Sequence, residues 1–271
     1  MPELPEVEIH ARKLREWLVG KRITGCEVLD HRLFVGGEAS VWDAVVAGRK
    51  VEAVRRQAKY LLIDLEGESA LVIHLRMTGK LVLDRYVAAP PGKFTRFTLQ
   101  VEDGCRVRFE DFRRFGRTWV LPDRHGELPT ELAALGPDAL LEPTSAERLT
   151  ALVRGSRRSI KALLMDQRLI GGLGNICAIE ILYRAGIAPD TPAGLLNDEQ
   201  IVRIAGIIPP YLEWAIEAQC HGELIYLGEP GAENVFSIYA RAGEPCAKCG
   251  EVIRRSVIAG RGTYFCPGCQ R

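Results

Sequence analysis

The sequence predicts an α+β chain of several domains: a β-rich N-terminal part behind one leading helix, a helical middle, and a small metal-bound hairpin at the end. Three observations predict it. Short stretches of strand composition follow one another between residues 23 and 109 with no long helix among them. Helical periodicity takes over after a Pro- and Gly-containing stretch at residues 122–143. Near the end, Cys246-x2-Cys249 and Cys266-x2-Cys269 are separated by sixteen residues, the spacing of a tetrahedral four-cysteine zinc site.

Composition sets the class. With 271 residues, 47% hydrophobic and 26% charged, the chain is long enough for two ordinary domains. No apolar run reaches the length of a membrane span, and the N-terminus lacks a basic-then-apolar signal, so the expectation is a cytoplasmic protein without disulfides. A net charge of +1 decides nothing about partners, because placement matters more than the sum. Placement is uneven. Arg154–Arg168 holds five basic residues against one acid, and Arg241–Arg271 holds six against two.

The first element is a helix over Pro5–Leu18. Val7, Ala11, Leu14 and Leu18 form one apolar stripe, with Arg12, Lys13 and Arg15 outside it. It holds the terminus Met1-Pro2-Glu3-Leu4-Pro5-Glu6 against a core. Removal of Met1, normal before a small residue, exposes the secondary amine of Pro2. An α-amine has a pKa of about 7.7–8 against about 10.4 for lysine, so a far larger fraction is unprotonated near neutrality. Joined to a sugar aldehyde carbon, this amine gives an iminium whose fixed charge draws electrons in an elimination. Glu3 and Glu6 place carboxylates nearby for proton transfer. The plain alternative is an ordinary helix entry, with Pro5 and acidic residues in the first turn.

Strands follow near Ile23–Leu29, Val51–Arg55, Leu61–Leu65, Ala70–Leu75, Lys80–Leu83, Phe94–Val101 and Arg106–Phe109, with a short helix at Ser40–Ala47. They suit a sandwich or a flattened barrel. Three junctions carry more than a scaffold requires. Arg55-Arg56-Gln57-Ala58-Lys59-Tyr60 places Lys59 where it could reach a phosphate. His74-Leu75-Arg76-Met77-Thr78-Gly79 makes a turn that presents Met77. Asp111-Phe112-Arg113-Arg114-Phe115-Gly116 offers arginines beside exposed aromatics. An exposed Met, Arg and Phe suit insertion into a base stack.

Beyond the linker, Thr144–Val153 and Ser159–Met165 read as helices. Gly171-Gly172-Leu173-Gly174-Asn175 opens another that runs to Arg184, and its first N–H groups are expected to face outward as a phosphate site. The turn lacks the lysine and spacing of a P-loop, which excludes ATP and NAD binding. A helix over Asp198–Ala218 is expected to kink or split at Pro209-Pro210. The terminal cysteines bracket a hairpin, Val252–Ile258 and Gly260–Phe265, with Arg261 near its tip. One structural Zn2+ is expected there, and Cys26, Cys105, Cys177 and Cys220 are expected to be core thiols.

Taken in order, Met1-Pro2-Glu3-Leu4-Pro5-Glu6-Val7-Glu8, Arg-Arg-Gln-Ala-Lys-Tyr, His-Leu-Arg-Met-Thr-Gly, Asp-Phe-Arg-Arg-Phe-Gly, Gly-Leu-Gly-Asn and Thr263–Arg271 resemble the bacterial formamidopyrimidine-DNA glycosylases over nearly the full length. The resemblance implies an N-terminal β-sandwich (1–121), a linker (122–143), a helix–two-turn–helix domain (144–239) and a zinc finger (240–271), with DNA between the lobes. It implies that Pro2 is the nucleophile, that Glu3 and Glu6 assist, and that Lys59, His74, Asn175 and Arg261 contact phosphates. Met77, Arg113 and Phe115 would fill the gap left by an everted nucleotide, and Cys246, Cys249, Cys266 and Cys269 would hold zinc. The chain departs from the family pattern at Gln219–Tyr226, at Cys177 and Ile179, and at Ala240, where glycine is usual. The implied activity is a bifunctional glycosylase and abasic-site lyase acting on oxidised or ring-opened bases in double-stranded DNA, as a monomer of the bacterial cytoplasm and nucleoid. Two alternatives stand beside it: a paralogue whose lesion range is shifted away from 8-oxoguanine, and a non-catalytic zinc-finger DNA-binding protein of the same fold.

Overall fold

The computed structural model describes every residue except 1, 36–38, 86–89 and 223, and no side chains at 39–41. The described chain divides into two compact units, residue 2 with 6–133 and residues 3–5 with 134–271.

The first unit is built on α1 (Leu4–Leu18), β1 (Ile23–Val28), α2 (Ala39–Val46), β2 (Val51–Gln57), β3 (Tyr60–Leu65), β4 (Ser69–His74), β5 (Lys80–Asp84), β6 (Thr95–Val101), β7 (Arg106–Glu110), β8 (Arg117–Leu121) and a one-turn α3 (Thr130–Ala133). Its strands form two four-stranded antiparallel sheets in the orders β1-β6-β7-β5 and β2-β3-β4-β8. This is the sandwich, not the barrel. Its core joins Leu61, Ile63, Leu71 and Ile73 of one sheet to Phe97, Leu99, Val107 and Phe109 of the other. Val7, Ala11, Leu14 and Leu18 of α1 are all buried in it, so the apolar stripe does what its spacing predicts. Strand β8 has no counterpart in the sequence reading. Its RTWVL stretch follows directly on a charged loop, and only pairing with β4 reveals it.

The second unit contains α4 (Ala146–Val153), α5 (Ile160–Leu164), α6 (Asn175–Ala185), α7 (Asp198–Gln219) and the hairpin β9 (Arg254–Ile258) and β10 (Arg261–Phe265). Ser145 and Ser159 cap α4 and α5 by accepting from the N–H groups of Arg148 and Ala162, and Asn197 with Gln200 makes a capping box on α7. The helices bury Leu163, Leu164, Cys177, Ala178, Ile181, Ile204, Ile208, Tyr211 and Leu212 in one core that also takes Leu4. Contrary to the expectation of a split, α7 runs through Pro209 and Pro210 as a single helix. Buried Ile208, Tyr211, Leu212 and Ala215 flank the prolines, and this packing outweighs the lost helical hydrogen bonds. A second correction concerns the four supposed core thiols. Cys177 is buried, but Cys26, Cys105 and Cys220 are each partly exposed. The first two, on β1 and in the β6–β7 turn, are partly buried against the sandwich core, and the third ends a helix. No helix among the described residues is long and apolar enough to cross a membrane.

Candidate functional site

Pro2 is buried, and its nitrogen becomes an amine only when Met1 is removed. The next residue is fixed firmly. Glu3 is buried, and its carboxylate accepts from the backbone N–H groups of Ile176 (2.9 Å) and Cys177 (3.0 Å) in the first turn of α6. The residue just before α6, Gly174, stands at the N-cap and supplies no side-chain cap, so Glu3 serves as a cap delivered from far away in sequence. The glycines of this turn are there for the chain that lies against them. A Cβ on Gly174 would meet the Glu3 carboxyl carbon at 2.2 Å, and one on Gly172, at φ +104°, would meet Leu4 at 2.3 Å. The expectation that these N–H groups face outward as a phosphate site is therefore corrected: two of them hold Glu3. Glu6 is buried in the first turn of α1.

In the first unit, the charged junctions sort into committed and presented residues. Arg56 is buried and pairs with Glu8 at 2.8 Å, and Arg55 grips Asp64 through two bonds of 2.6 and 2.7 Å. Burial works against the Glu8 charge, but Arg56 and Arg15 outweigh it and hold its pKa below the usual range. The same motif thus gives two arginines to structure, and it places Lys59, half-buried, at the β2–β3 turn. Across β3 and β4, Tyr60 pairs with His74, their rings meeting edge to face at 4.5 Å. Burial, with Arg76 and Lys59 nearby, pushes the His74 pKa down to about 3. His74 is therefore neutral at physiological pH. Its Nδ1 accepts from the Arg76 N–H at 3.0 Å, which places the ring proton on Nε2 as a donor.

Met77 and the pair Arg113 and Phe115 sit on two loops joined by one side chain. Asp111 is fully buried. It accepts from the Thr78 hydroxyl beside Met77, from the Arg113 N–H at 3.2 Å and from the Gly116 N–H at 2.7 Å. Both loops also press on Phe109: a Cβ at Gly79 or at Gly116 would lie 2.8 Å from its ring. Phe115 is 48% exposed, and the Arg113 guanidinium lies 4.7 Å from its ring centre. Met77 is half-buried rather than fully presented. These two loops and the β2–β3 turn each carry a non-glycine residue in left-handed conformation next to a predicted site residue: Ala58 (φ 51°) before Lys59, Arg76 (φ 54°) before Met77, and Arg114 (φ 59°) between Arg113 and Phe115. Such strain persists only where surrounding structure enforces it, and it concentrates at functional loops. Asp111 was not singled out from the sequence. Its signal is an acid that opens a charged loop closed by glycine, a pattern that caps loops.

In the second unit, the hairpin is tied to the helices by polar side chains. The Asn175 amide donates to the Gly262 carbonyl at 3.0 Å, while its own oxygen is buried without a hydrogen bond. Buried Lys161 donates to the Thr263 hydroxyl at 2.6 Å, and burial with Arg261 nearby pulls its pKa down to about 8. Arg261 follows the Ala259-Gly260 turn and is exposed. Glu180, fully buried on α6, accepts from the N–H groups of Ser237, Ile238 and Tyr239 at 2.8–3.1 Å and fixes the segment leading to the finger. Ala240 follows at φ 61°, which explains why glycine suits this position better. Lys161 and Glu180 escaped the sequence reading as site residues because basic and acidic residues on helices are ordinarily solvated. The segment after α7 folds as a turn, with Leu224 and Tyr226 buried and the Tyr226 N–H on Glu229 at 3.0 Å.

The four cysteines meet the requirement of a metal. Their sulfurs all lie within 4.8 Å of one another, with Cys249–Cys266 at 3.4 Å and Cys246–Cys269 at 3.8 Å. Four thiolates at about 2.3 Å around a tetrahedral zinc stand about 3.8 Å apart. The donor set fits one zinc ion, and it leaves no open coordination position for chemistry.

The comparisons agree from end to end. Residues 1–118 match the formamidopyrimidine-DNA glycosylase N-terminal domain, 135–224 the formamidopyrimidine-DNA glycosylase H2TH domain, and 243–271 the zinc finger found in FPG and IleRS. The formamidopyrimidine-DNA glycosylase of Chloroflexus aurantiacus is 43% identical, over 100% of this chain and 98% of its own. The solved Lactococcus lactis enzyme, bound non-covalently to DNA containing an AP site, is similar with a TM-score of 0.88 at 32% identity, with full coverage of both chains. MutM (Fpg) from Thermus thermophilus gives 0.85 at 36% identity, covering 99% and 98%. With its sandwich, its helical domain and its four-cysteine finger matched in order, the chain belongs to the formamidopyrimidine-DNA glycosylase family of DNA repair enzymes.

Proposed function

We propose that this chain removes oxidised or ring-opened bases from double-stranded DNA and then cleaves the strand, with the amine of Pro2 as nucleophile. The observation that carries the reading is the anchoring of Glu3 on the first turn of α6. A carboxylate held by two backbone N–H groups fixes the position of the residue bonded to it, which is Pro2.

The amine of Pro2 attacks C1′ of the damaged nucleotide and the glycosidic electrons leave with the base, which takes up a proton. Opening of the sugar ring converts the adduct into an iminium at C1′. That cation acidifies C2′–H. Loss of this proton expels the 3′ phosphate, and a second elimination expels the 5′ phosphate. Lys59, the neutral Nε2–H of His74, Asn175 and Arg261 hold phosphates; Met77, Arg113 and Phe115 support the stack from which the nucleotide leaves. Zinc keeps the hairpin that carries Arg261 folded. Solved relatives in complex with DNA containing carbocyclic 8-oxo-G, an oxidised pyrimidine or N7-benzyl-Fapy-dG support the base classes proposed. The test is incubation of the processed protein with duplexes carrying a ring-opened guanine or an abasic site. Base release followed by one-nucleotide gaps with phosphate at both ends is expected. Binding without cleavage of either duplex would leave only the DNA-binding reading.

A further inference from the structure

We propose that Glu217, Cys220 and His221 form a second metal site, separate from the four-cysteine finger, that takes a borderline divalent ion such as zinc. Cys220 and His221 fall in the stretch where the sequence departs from the family pattern, Glu217 lies just before it, and none of the three is used in the repair chemistry proposed above. Helix α7 ends at Gln219, and Cys220 continues it as the cap in right-handed conformation (φ −78°, ψ −7°). Spacings of three and four residues from Glu217 then bring Cys220 and His221 onto its face. A carboxylate oxygen, Sγ and an imidazole nitrogen lie within 4.8 Å of one another. Zinc bonds of about 2.0–2.3 Å require donors roughly 3–4 Å apart, a difference that small rotations about side-chain bonds supply.

The donor set selects the ion. A thiolate with an imidazole favours zinc and its transition-metal neighbours over magnesium or calcium, which take oxygen. Glu217 and His221 are exposed and Cys220 is half-buried, so an ion reaches all three from solvent. The Cys220 thiol now points to the Glu217 carbonyl at 3.2 Å, a weak bond readily exchanged. On binding, the S–H proton goes to solvent and a metal–sulfur bond forms in its place. The last carbonyls of a 22-residue helix point toward the same end, and their dipole favours a cation there. Gly222, at φ +71° with open space around it, lets the chain turn away. Three protein donors leave at least one position for water, so this ion exchanges where the finger's does not.

The test uses the full-length protein with its finger zinc in place. Dialysed against buffered free zinc in the micromolar range, the wild type is expected to retain about one zinc more per chain than after dialysis against zinc-free buffer. In Cys220→Ser and in His221→Ala, zinc should bind this second site about a hundredfold more weakly, with the finger's zinc unchanged. Cobalt(II) added to wild type dialysed against zinc-free buffer, so that only the finger holds zinc, should give a sulfur-to-cobalt absorption band that is missing in Cys220→Ser. Retention of finger zinc and of the far-ultraviolet spectrum shows that each variant is folded. A wild type that binds only the finger's zinc, or a second zinc held equally by both variants, would overturn the proposal.

Discussion

Replacing Asp111 with alanine should disconnect the two loops that carry Met77, Arg113 and Phe115. The carboxylate accepts three hydrogen bonds inside the first unit: from the Thr78 hydroxyl, the Arg113 N–H and the Gly116 N–H. The Thr78 and Arg113 donors can turn to water, since both residues keep exposure. The Gly116 N–H cannot, because that residue is buried against Phe109. At about 1 kcal/mol for each replaceable bond and about 1–3 for the stranded donor, the loss comes to roughly 3–5 kcal/mol. Asp111→Asn, which keeps one acceptor, should lose about half of that. Urea unfolding followed by tryptophan fluorescence measures it. Cleavage should distinguish stacked from unstacked substrate: an abasic site in duplex is expected to be cut at least about tenfold more slowly, and one in a single strand nearly as fast as by wild type. Equal slowing on both substrates, or stability within about 1 kcal/mol of wild type, would refute the idea that Asp111 positions the stack-filling loops.

Other consequences are narrower. Ala240→Gly removes left-handed strain at the entry to the finger and should stabilise the second unit by roughly 0.5–1 kcal/mol after the greater entropy of unfolded glycine, read by thermal unfolding. Folding should weaken in acid through His10, whose pKa burial, with Lys13 and Lys80 nearby, lowers from 6.5 to about 3. The unfolded chain binds that proton first, so the contribution is intact above about pH 6.5 and erodes by about 1.4 kcal/mol per unit as pH falls toward about 3. His10→Leu should flatten this slope in a pH series of unfolding curves. Chelation of zinc, or Cys249→Ser, should unfold the hairpin and weaken DNA binding while the first unit keeps its melting transition, checked by metal analysis and calorimetry.

The elements that announced themselves did so through period or spacing. The α1 stripe and the cysteine knuckles each follow a rule that one sequence suffices to apply, and both stand where the rule puts them. The choice between sandwich and barrel was open to residue patterns, because pairing order depends on contacts distant in sequence. What stayed hidden is also long-range. The Glu3 carboxylate caps a helix 173 residues away, so the turn read as an empty phosphate cradle is filled from the far end of the chain. The burial of Lys161 and Glu180 depends on β10 and on the segment at 237–239, which pack over them from far along the chain. The continuity of α7 through two prolines is likewise decided by its buried face rather than by local preference.

The central claim, that Pro2 supplies the attacking amine, is tested most directly by locating the bond. Protein lacking Met1 is mixed with a duplex containing an abasic site, reduced with borohydride and digested, and the DNA-bearing peptide is sequenced by mass spectrometry. The sugar remnant is expected on the nitrogen of Pro2, and protein retaining Met1 should give no adduct while still binding the duplex. A remnant on Lys59, or undiminished trapping with Met1 in place, would contradict the account.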